Sequence, residues 1–410
     1  MKIALIGGGG VRSPLFVMTL LRWHARLGVT ELALMDIDPR KLDLFSRLCR
    51  ELVHRAGDPF SVTATTDAAA ALRGANHVVT TIRVGFEQGR AIDERIALRH
   101  GVLGQETTGP GGFAMALRSI PAILEYAGLL QQVSPGAWMY NFTNPSGLVT
   151  QALRDAGFSR TIGICDGANH PQVNVARWAG VDPSRVRAEV FGLNHLSWGR
   201  AVRLDGEDLL PRALADDAFL REAQAVFDPR LVRQMGMYFN EYLYYYYYAE
   251  QALAAIRAER VTRGEEIVEL NQRLVEQLEE LGVERDPTRA LRAFFGYEKR
   301  RAATYMQYAH AAGGTASVSD TDLFGADIPA QAGEGYAGVA LSIIEAIEKD
   351  TPLYTALNVP NAGAIDGMQP GDVVEVSCRV DGQGVQPLPV GAVPAPQLGL
   401  MQAVKLYERL

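Results

Sequence analysis

The sequence predicts an α/β protein, with an N-terminal domain built on a parallel sheet (residues 1–170) followed by a mixed α+β domain (171–410). Three observations carry this. Short apolar runs alternate with helical spacing over the first 170 residues, the rhythm of βαβ units. The first of those runs breaks into four consecutive glycines before a helix. Beyond residue 170 the alternation gives way to long helical stretches and a hairpin signal.

Lys2–Ile6 is the first strand, and glycines 7–10 are its turn. Ser13 and Pro14 open a helix, since proline is tolerated in a first turn. Glu31–Met35 is the second strand, closed by Asp36, and Asp38 with Pro39 opens the next helix. Ser61–Thr65 reads as a short strand, 67–73 as a short helix capped by Asp67, and 77–82 as a strand. Residues 115–133 form a long apolar-periodic helix. A strand at 138–142 breaks at Asn144 and Pro145, and 161–165 is the last strand of this domain. In the second half, 187–191 and 198–204 are strand-like around a Gly-Leu-Asn-His turn. Helices are predicted over 228–260, 263–282 and 333–349, and strands over 373–379 and 385–389.

Composition narrows the function. The chain has 410 residues, 48% hydrophobic and 21% charged, so long disorder is not expected. Forty basic residues against 47 acidic ones give a net charge of −7, which argues against a nucleic-acid partner. The three cysteines, Cys49, Cys165 and Cys378, are far apart and odd in number, which suits a reducing cytoplasm. No run of about 18 apolar residues occurs, so no membrane span is expected.

Five groups of residues could carry chemistry. The first is the Gly8-x-Gly10-x-x-Ser13 turn between strand and helix, with Asp36 ending the next strand. Glycines let backbone N–H groups approach a pyrophosphate, and the carboxylate can accept from a ribose hydroxyl, so this reads as a Rossmann-like dinucleotide site. The second is Cys165 with Asp166 at a strand end, where open α/β sheets bind ligands. The third is His195, which with Cys165 could form a two-ligand metal site with open positions, with His170 as rival. The fourth is a tyrosine-rich segment in which Tyr238, Tyr242 and Tyr245 share a predicted helical face; most of these rings are packing residues, and one phenol could serve as a base. The fifth is the polar, glycine-rich stretch from Arg83 to Gly112, expected to be a ligand-facing loop whose arginines could clamp an anion.

Together these residues resemble glycoside hydrolase family 4, the NAD- and divalent-metal-dependent glycosidases. The resemblance rests on IGGG, RVGF, GQETTGPGGF, NFTNPSG, GICD, FGLNHLSW, NEYLYYYY, NVPNAGAI and AVKLYERL, in order over nearly the whole chain. The closest look is to the members acting on 6-phospho-β-glucosides. The resemblance implies a lactate/malate dehydrogenase-like architecture and a homodimer or homotetramer. It assigns Cys165 and His195 as metal ligands, Tyr242 as catalytic base and Asp166 as general acid. Gly8, Gly10, Ser13 and Asp36 belong to the NAD site. Asn144 faces substrate or nicotinamide, and Arg90 and Arg263 hold the sugar phosphate. Manganese is the metal it implies, although thiolate plus imidazole favours a softer ion, so metal identity stays open.

The chain also departs from the pattern. Asp166 after the metal cysteine resembles the α-acting members, while the rest looks β-type, which leaves the anomer open. The GANHPQ stretch after Cys165 and Asp166 is unusual, and members continue past AVKLYERL where this chain stops at Leu410. The implied reaction is oxidation at sugar carbon 3, proton removal at carbon 2, elimination, and re-addition of water, on a small phosphorylated glycoside. The rival readings are a 2-hydroxy-acid-type dehydrogenase and a catalytically inert sensor.

Overall fold

The computed structural model describes residues 1–306, 309 and 335–410, and these divide into two compact units. Unit 1 is Met1–Thr143 with Leu253–Leu341; unit 2 is Asn144–Ala252 with Ser342–Leu410. The single boundary near residue 170 expected from the alternation is thus replaced by two excursions of the chain.

In unit 1, β1 (Lys2–Ile6), β2 (Glu31–Met35), β3 (Ser61–Thr65), β4 (His77–Thr80) and β5 (Trp138–Asn141) are parallel, in the order β3-β2-β1-β4-β5. The order reverses between β1 and β4, which makes a switch point of the kind where such sheets bind ligands. Ile3, Leu5, Ile6, Leu32, Leu34, Val78 and Val79 are almost wholly buried, as strands covered on both faces require.

The first three helices of unit 1 begin where the sequence says they should. Asp38 accepts from Arg40 N and Lys41 N to start Pro39–Arg55, and Asp67 accepts from Ala69 N and Ala70 N to start Ala68–Leu72. The first helix, Ser13–Leu27, carries proline in its first turn and ends at Gly28 in the left-handed conformation. Two helices from the later segment, Arg263–Leu281 and Pro287–Ala303, belong to the same unit. Glu279 pairs with Arg40, Glu284 with Arg47 and Glu265 with Arg95. These contacts span some 170 to 240 residues of sequence, which is why alternation alone put the boundary elsewhere.

The expected ligand loop after β4 is mostly helix, Phe86–Arg99, whose buried face includes Arg90, Asp93 and Glu94. Inward-facing charges invert the usual apolar stripe and hide the helix from a periodicity reading. Helix Gly109–Val133 begins six residues earlier than expected. By length and composition it could cross a membrane. It buries Met115, Ala116, Ser119, Ile123, Ala127 and Leu130 at helical spacing, and core helices pass the same test.

Unit 2 carries β6 (Thr161–Gly163), β7 (Val186–Leu193), β8 (Leu196–Leu204), β9 (Glu207–Asp208), β10 (Tyr238–Phe239), β11 (Leu353–Pro360), β12 (Val373–Asp381) and β13 (Gly384–Pro387). One antiparallel set runs β6-β11-β12-β13, and the other runs β10-β8-β7 with β9 on β8. Ser377 of β12 ties the sets together, accepting from Val190 N at 2.9 Å and donating to Ala188 O at 2.8 Å.

The last helix, Ala395–Glu408, is fastened by Lys405. This side chain is fully buried, and its Nζ donates to Gln151 Oε1 at 2.8 Å and Glu408 Oε2 at 2.7 Å. A buried ammonium with this many acceptors is compensated rather than stranded.

The tyrosine segment differs from expectation. Gly236 ends a helix in the left-handed conformation, Tyr238 lies in β10, and Asn240 restarts the chain as a 3-10 turn by accepting from Tyr242 N. Tyr238 therefore shares no helical face with Tyr242 and Tyr245. The helical stretch expected at 333–349 is found as Gly335–Lys349, and residues 333–334 lie outside the described residues.

Candidate active site

Unit 1 holds a cavity of about 400 Å³ beyond the carboxyl ends of its strands. Gly7, Gly9 and Gly10 come from the turn after β1, Asp36 follows β2, and Thr81 and Arg83 follow β4. This turn accepts only glycine where the backbones close on each other. A Cβ on Gly8 would sit 2.8 Å from Leu34 Cβ and 2.9 Å from Met35 N, and one on Gly9 would sit 2.9 Å from Asp36 Cγ.

Asp36 locks the turn. Its Oδ2 accepts from Gly9 N and its Oδ1 from Asp38 N, both at 3.0 Å. Burial raises its carboxyl, and the bonds from Asp38 and Gly9 oppose that. Ser13 opens the first helix with a buried side chain, and its Oγ makes no hydrogen bond among the described residues. The second chain segment contributes Asn271, Val275 and Arg301 to the same cavity. An elongated space between a glycine turn and a strand-end carboxylate fits a dinucleotide.

Unit 2 assembles Cys165, His195 and Tyr242. Cys165 lies two residues beyond β6 and is half-buried; Asp166 beside it is exposed. His195 forms the tip of the β7–β8 hairpin, where Leu193 pairs with Leu196 across a two-residue turn. Such turns demand positive φ, and His195 adopts φ 63°. Gly192, at φ 145°, lets the strands close, since a Cβ there would be 2.3 Å from Leu196 O.

His195 is buried, and its ring lies parallel to that of Tyr242, with centroids 3.8 Å apart and 5° between planes. Gly167 and the Asn194 amide lie on the side of the Cys165 sulfur and favour its thiolate, which sets the cysteine near the residue next to His195. Burial pushes the Cys165 thiol well above its ordinary value, and the Glu375 and Asp166 carboxylates push it further in the same direction. A divalent cation reverses that balance, because it stabilises the thiolate that these groups oppose. The donor set therefore fits a metal. Among the described residues no three His, Cys, Asp or Glu side chains converge, so a metal on Cys165 and His195 retains positions for substrate.

The other expected residues fall as follows. His170 begins helix His170–Trp178 and is half-buried. Asn144 is half-buried and precedes helix Ser146–Asp155. Cys49 and Cys378 are fully buried free thiols, as packing residues are. Arg90 is buried, bonding Glu94 at 2.8 Å and Glu106 at 2.9 Å. Arg263 bonds Glu266 at 2.6 Å, Arg301 O at 2.7 Å and Thr304 Oγ1.

Two carboxylates escaped the sequence reading. Glu106 sits between Arg83, at 2.7 Å, and Arg90. Glu375, in β12, is fully buried and accepts from Ser197, Asn194 and Asn358. A lone acidic residue inside the apolar run of 373–380 was the signal for the second, since glutamate is almost never buried without partners.

Comparison with known proteins identifies the family. The family 4 glycosyl hydrolase model matches residues 2–180, and the model of that family's C-terminal domain matches 190–410. A probable 6-phospho-beta-glucosidase of Bacillus subtilis (strain 168) is 31% identical over 420 residues, covering 100% of this chain and 87% of that protein. The 6-phospho-alpha-glucosidase 1 of Lacticaseibacillus paracasei is 30% identical, covering 100% of this chain and 88% of that protein. The 6-phospho-beta glucosidase of Thermotoga maritima, solved with manganese, NAD+ and glucose-6-phosphate, superposes with a TM-score of 0.81 at 27% identity, covering 100% of this chain and 88% of that one. At the level of fold alone, a Cryptosporidium parvum malate dehydrogenase matches with a TM-score of 0.52 at 12% identity, covering 100% of this chain and 96% of that one, in keeping with the dehydrogenase-like architecture. With both family models spanning nearly its full length, this chain belongs to glycosyl hydrolase family 4.

Proposed function

We propose that this chain hydrolyses 6-phosphorylated glucosides, 6-phospho-β-glucosides foremost, with NAD and a divalent metal, manganese in the first instance. The observation that carries the reading is the parallel stack of Tyr242 on His195 beside Cys165. A phenol held face to face with a metal-ligand imidazole is a base placed next to a Lewis-acid site. When bound, NAD supplies reversible hydride acceptance at sugar carbon 3 and the metal polarises the oxygen there.

The chain's own residues do the rest. The glycine turn and Asp36 orient the dinucleotide, with Gly8, Gly10 and Ser13 fixing the turn and the helix start. Cys165 and His195 hold the metal. Tyr242 takes the proton at carbon 2, which is acidic only beside an oxidised carbon. Asp166, whose side chain is exposed, donates to the departing oxygen. Arg90 and Arg263 are the candidates for the sugar phosphate; Arg90 is held by Glu94 and Glu106, and Arg263 by Glu266 and the Arg301 carbonyl. Asn144 contacts the substrate or the nicotinamide. A reducing, cytoplasmic setting keeps Cys165 as a thiol or thiolate, and a homodimer or homotetramer is the working assembly. An α-linked substrate is the second reading; it rests on Asp166, where the Cys-Asp pair is of the α-acting kind.

The test is turnover of the α- and β-anomers of p-nitrophenyl 6-phosphoglucoside, with and without NAD and manganese, in heavy water. Hydrolysis that requires both additions and leaves deuterium at carbon 2 of glucose 6-phosphate is expected. Product without deuterium there, by NMR, overturns the elimination. Gly8→Ala should weaken NAD binding by about five- to 150-fold, because an added methyl in a closed turn costs about 1–3 kcal/mol. It should leave manganese binding unchanged, and fluorescence titration of NAD reads the difference.

A further inference from the structure

The hydrogen bonds of unit 2 converge on one group that the proposed chemistry does not use. Glu375 is fully buried in β12, and its two oxygens serve different loops. Oε1 accepts from Asn194 Nδ2 at 3.2 Å and from Asn358 Nδ2 at 3.1 Å. Oε2 accepts from Ser197 Oγ at 2.7 Å.

Each oxygen starts an arm. On the first, Asn194 is fixed at both ends of its amide. Its Oδ1 accepts from Gly147 N at 3.3 Å and one N–H goes to Glu375. Asn194 directly precedes His195 in the two-residue turn of the β7–β8 hairpin, so this arm fixes the start of the tip that carries the metal ligand. On the second, Ser197 gives its proton to Glu375 and so must accept from Asn240 Nδ2, at 3.3 Å. Asn240 N donates to Ser197 O at 3.1 Å, and Asn240 Oδ1 caps the turn of Tyr242 by accepting its N–H at 3.0 Å. His195 lies between Asn194 and Ser197 in the chain, so both arms also grip its hairpin.

We propose that Glu375 is a positioning residue of the active site, with Oε1 setting the metal-ligand side through Asn194 and Oε2 setting the base side through Ser197 and Asn240. The inference rests on the functional reading above for what the two sides do. Its physical content is polarity. Only a group with two acceptor oxygens satisfies three donors arriving from three strands and loops, and a buried carboxylate holds them in one arrangement.

Glu375→Gln tests the arms separately. The amide oxygen in place of Oε1 still accepts from Asn194 and Asn358. The new NH2 faces Ser197, whose hydroxyl loses its carboxylate acceptor and must send its proton elsewhere, so the charge-assisted bond that fixes its oxygen toward Asn240 is gone. Glu375→Gln should therefore lower kcat by at least about tenfold while KM and the manganese Kd stay within about threefold, with Ser197→Ala alike and the double variant no worse than either. Asn194→Leu should instead weaken manganese about tenfold or more, read by electron paramagnetic resonance of free Mn²⁺ without turnover.

Glu375→Gln with wild-type kcat, additive losses in the double variant, or unchanged manganese affinity in Asn194→Leu each overturn the proposal. Thermal melting accompanies every variant; if Glu375→Gln has no cooperative melt, Ser197→Ala and Asn194→Leu decide the question arm by arm. A wild-type protein that binds manganese but is inert on 6-phosphoglucosides overturns the functional reading instead, and the Asn194→Leu measurement still decides the first arm.

Discussion

Tyr242→Phe should lower kcat by about 10²–10⁴-fold while leaving the protein folded and able to bind NAD. The substitution removes one hydroxyl and keeps the ring. The stack on His195, at 3.8 Å, involves only the ring, and the Asn240 cap involves only the backbone N–H of residue 242. The dinucleotide cavity is lined wholly by residues of unit 1, to which Tyr242 does not belong. What is lost is the base, and a general base contributes roughly 10²–10⁴-fold to a rate. A fall in kcat of that size is expected, with NAD affinity unchanged and a cooperative melt retained. Exchange of deuterium into carbon 2 should vanish with it. Tyr246→Phe is the control: its side chain is exposed, and activity should stay close to wild type. Tyr242→Phe retaining a tenth or more of the activity would remove the residue from the chemistry and leave its ring as packing.

The sequence disclosed the dinucleotide half because its constraints are local. The turn after β1 must be glycine where Leu34, Met35 and Asp36 press on it, and Asp36 must be an acceptor at the end of β2. Both requirements act over a few residues and leave a spacing that can be read. The metal and base half is different. Cys165, His195 and Tyr242 are separated by 30 and 47 residues, and no spacing rule brings them together. Residue type and position made Cys165 and His195 candidates, the resemblance assigned Tyr242, and it is the ring stack that joins the base to the His195 hairpin.

The differences from the sequence reading come from residues that interrupt a local pattern and from contacts between segments far apart in the chain. Helix Phe86–Arg99 turns Arg90, Asp93 and Glu94 inward, so its stripe looked like a solvated loop. Gly236 and Asn240 break what looked like a continuous tyrosine helix. Helices Arg263–Leu281 and Pro287–Ala303 carry ordinary amphipathic patterns, and nothing local in them says that their partners lie near residues 40 to 95. Buried charge is where tertiary structure overrides local pattern, and both overlooked carboxylates, Glu106 and Glu375, are of that kind.

Glu106 gives the second large effect, on stability. Burial raises its carboxyl, but the guanidinium groups of Arg83, Arg90 and Arg301 outweigh burial and hold it down at about 2, against an ordinary 4.5. A folded-state value below the unfolded one means that the unfolded chain takes up the proton first as pH falls. The stabilisation is therefore complete above about pH 4.5 and drains away toward pH 2. A shift of this size corresponds to about 3 kcal/mol, of which about 2 kcal/mol is gone by pH 3. Glu106→Gln removes the charge and leaves Arg83 and Arg90 facing each other across a neutral amide, with Glu94 the remaining acid on Arg90. Breaking a buried pair by neutralising one partner costs about 3–5 kcal/mol, so urea unfolding at pH 7 should show the variant destabilised by about that amount. The gap between wild type and variant should hold steady from pH 7 down to pH 5 and close by about 2 kcal/mol between pH 4.5 and pH 3, because only the wild type has this proton to gain. Other carboxylates titrate over the same range in both proteins and cancel in the difference. A gap that stays constant down to pH 3 would mean that Glu106 is not the charge holding the two arginines together, and that its place is taken by Glu94.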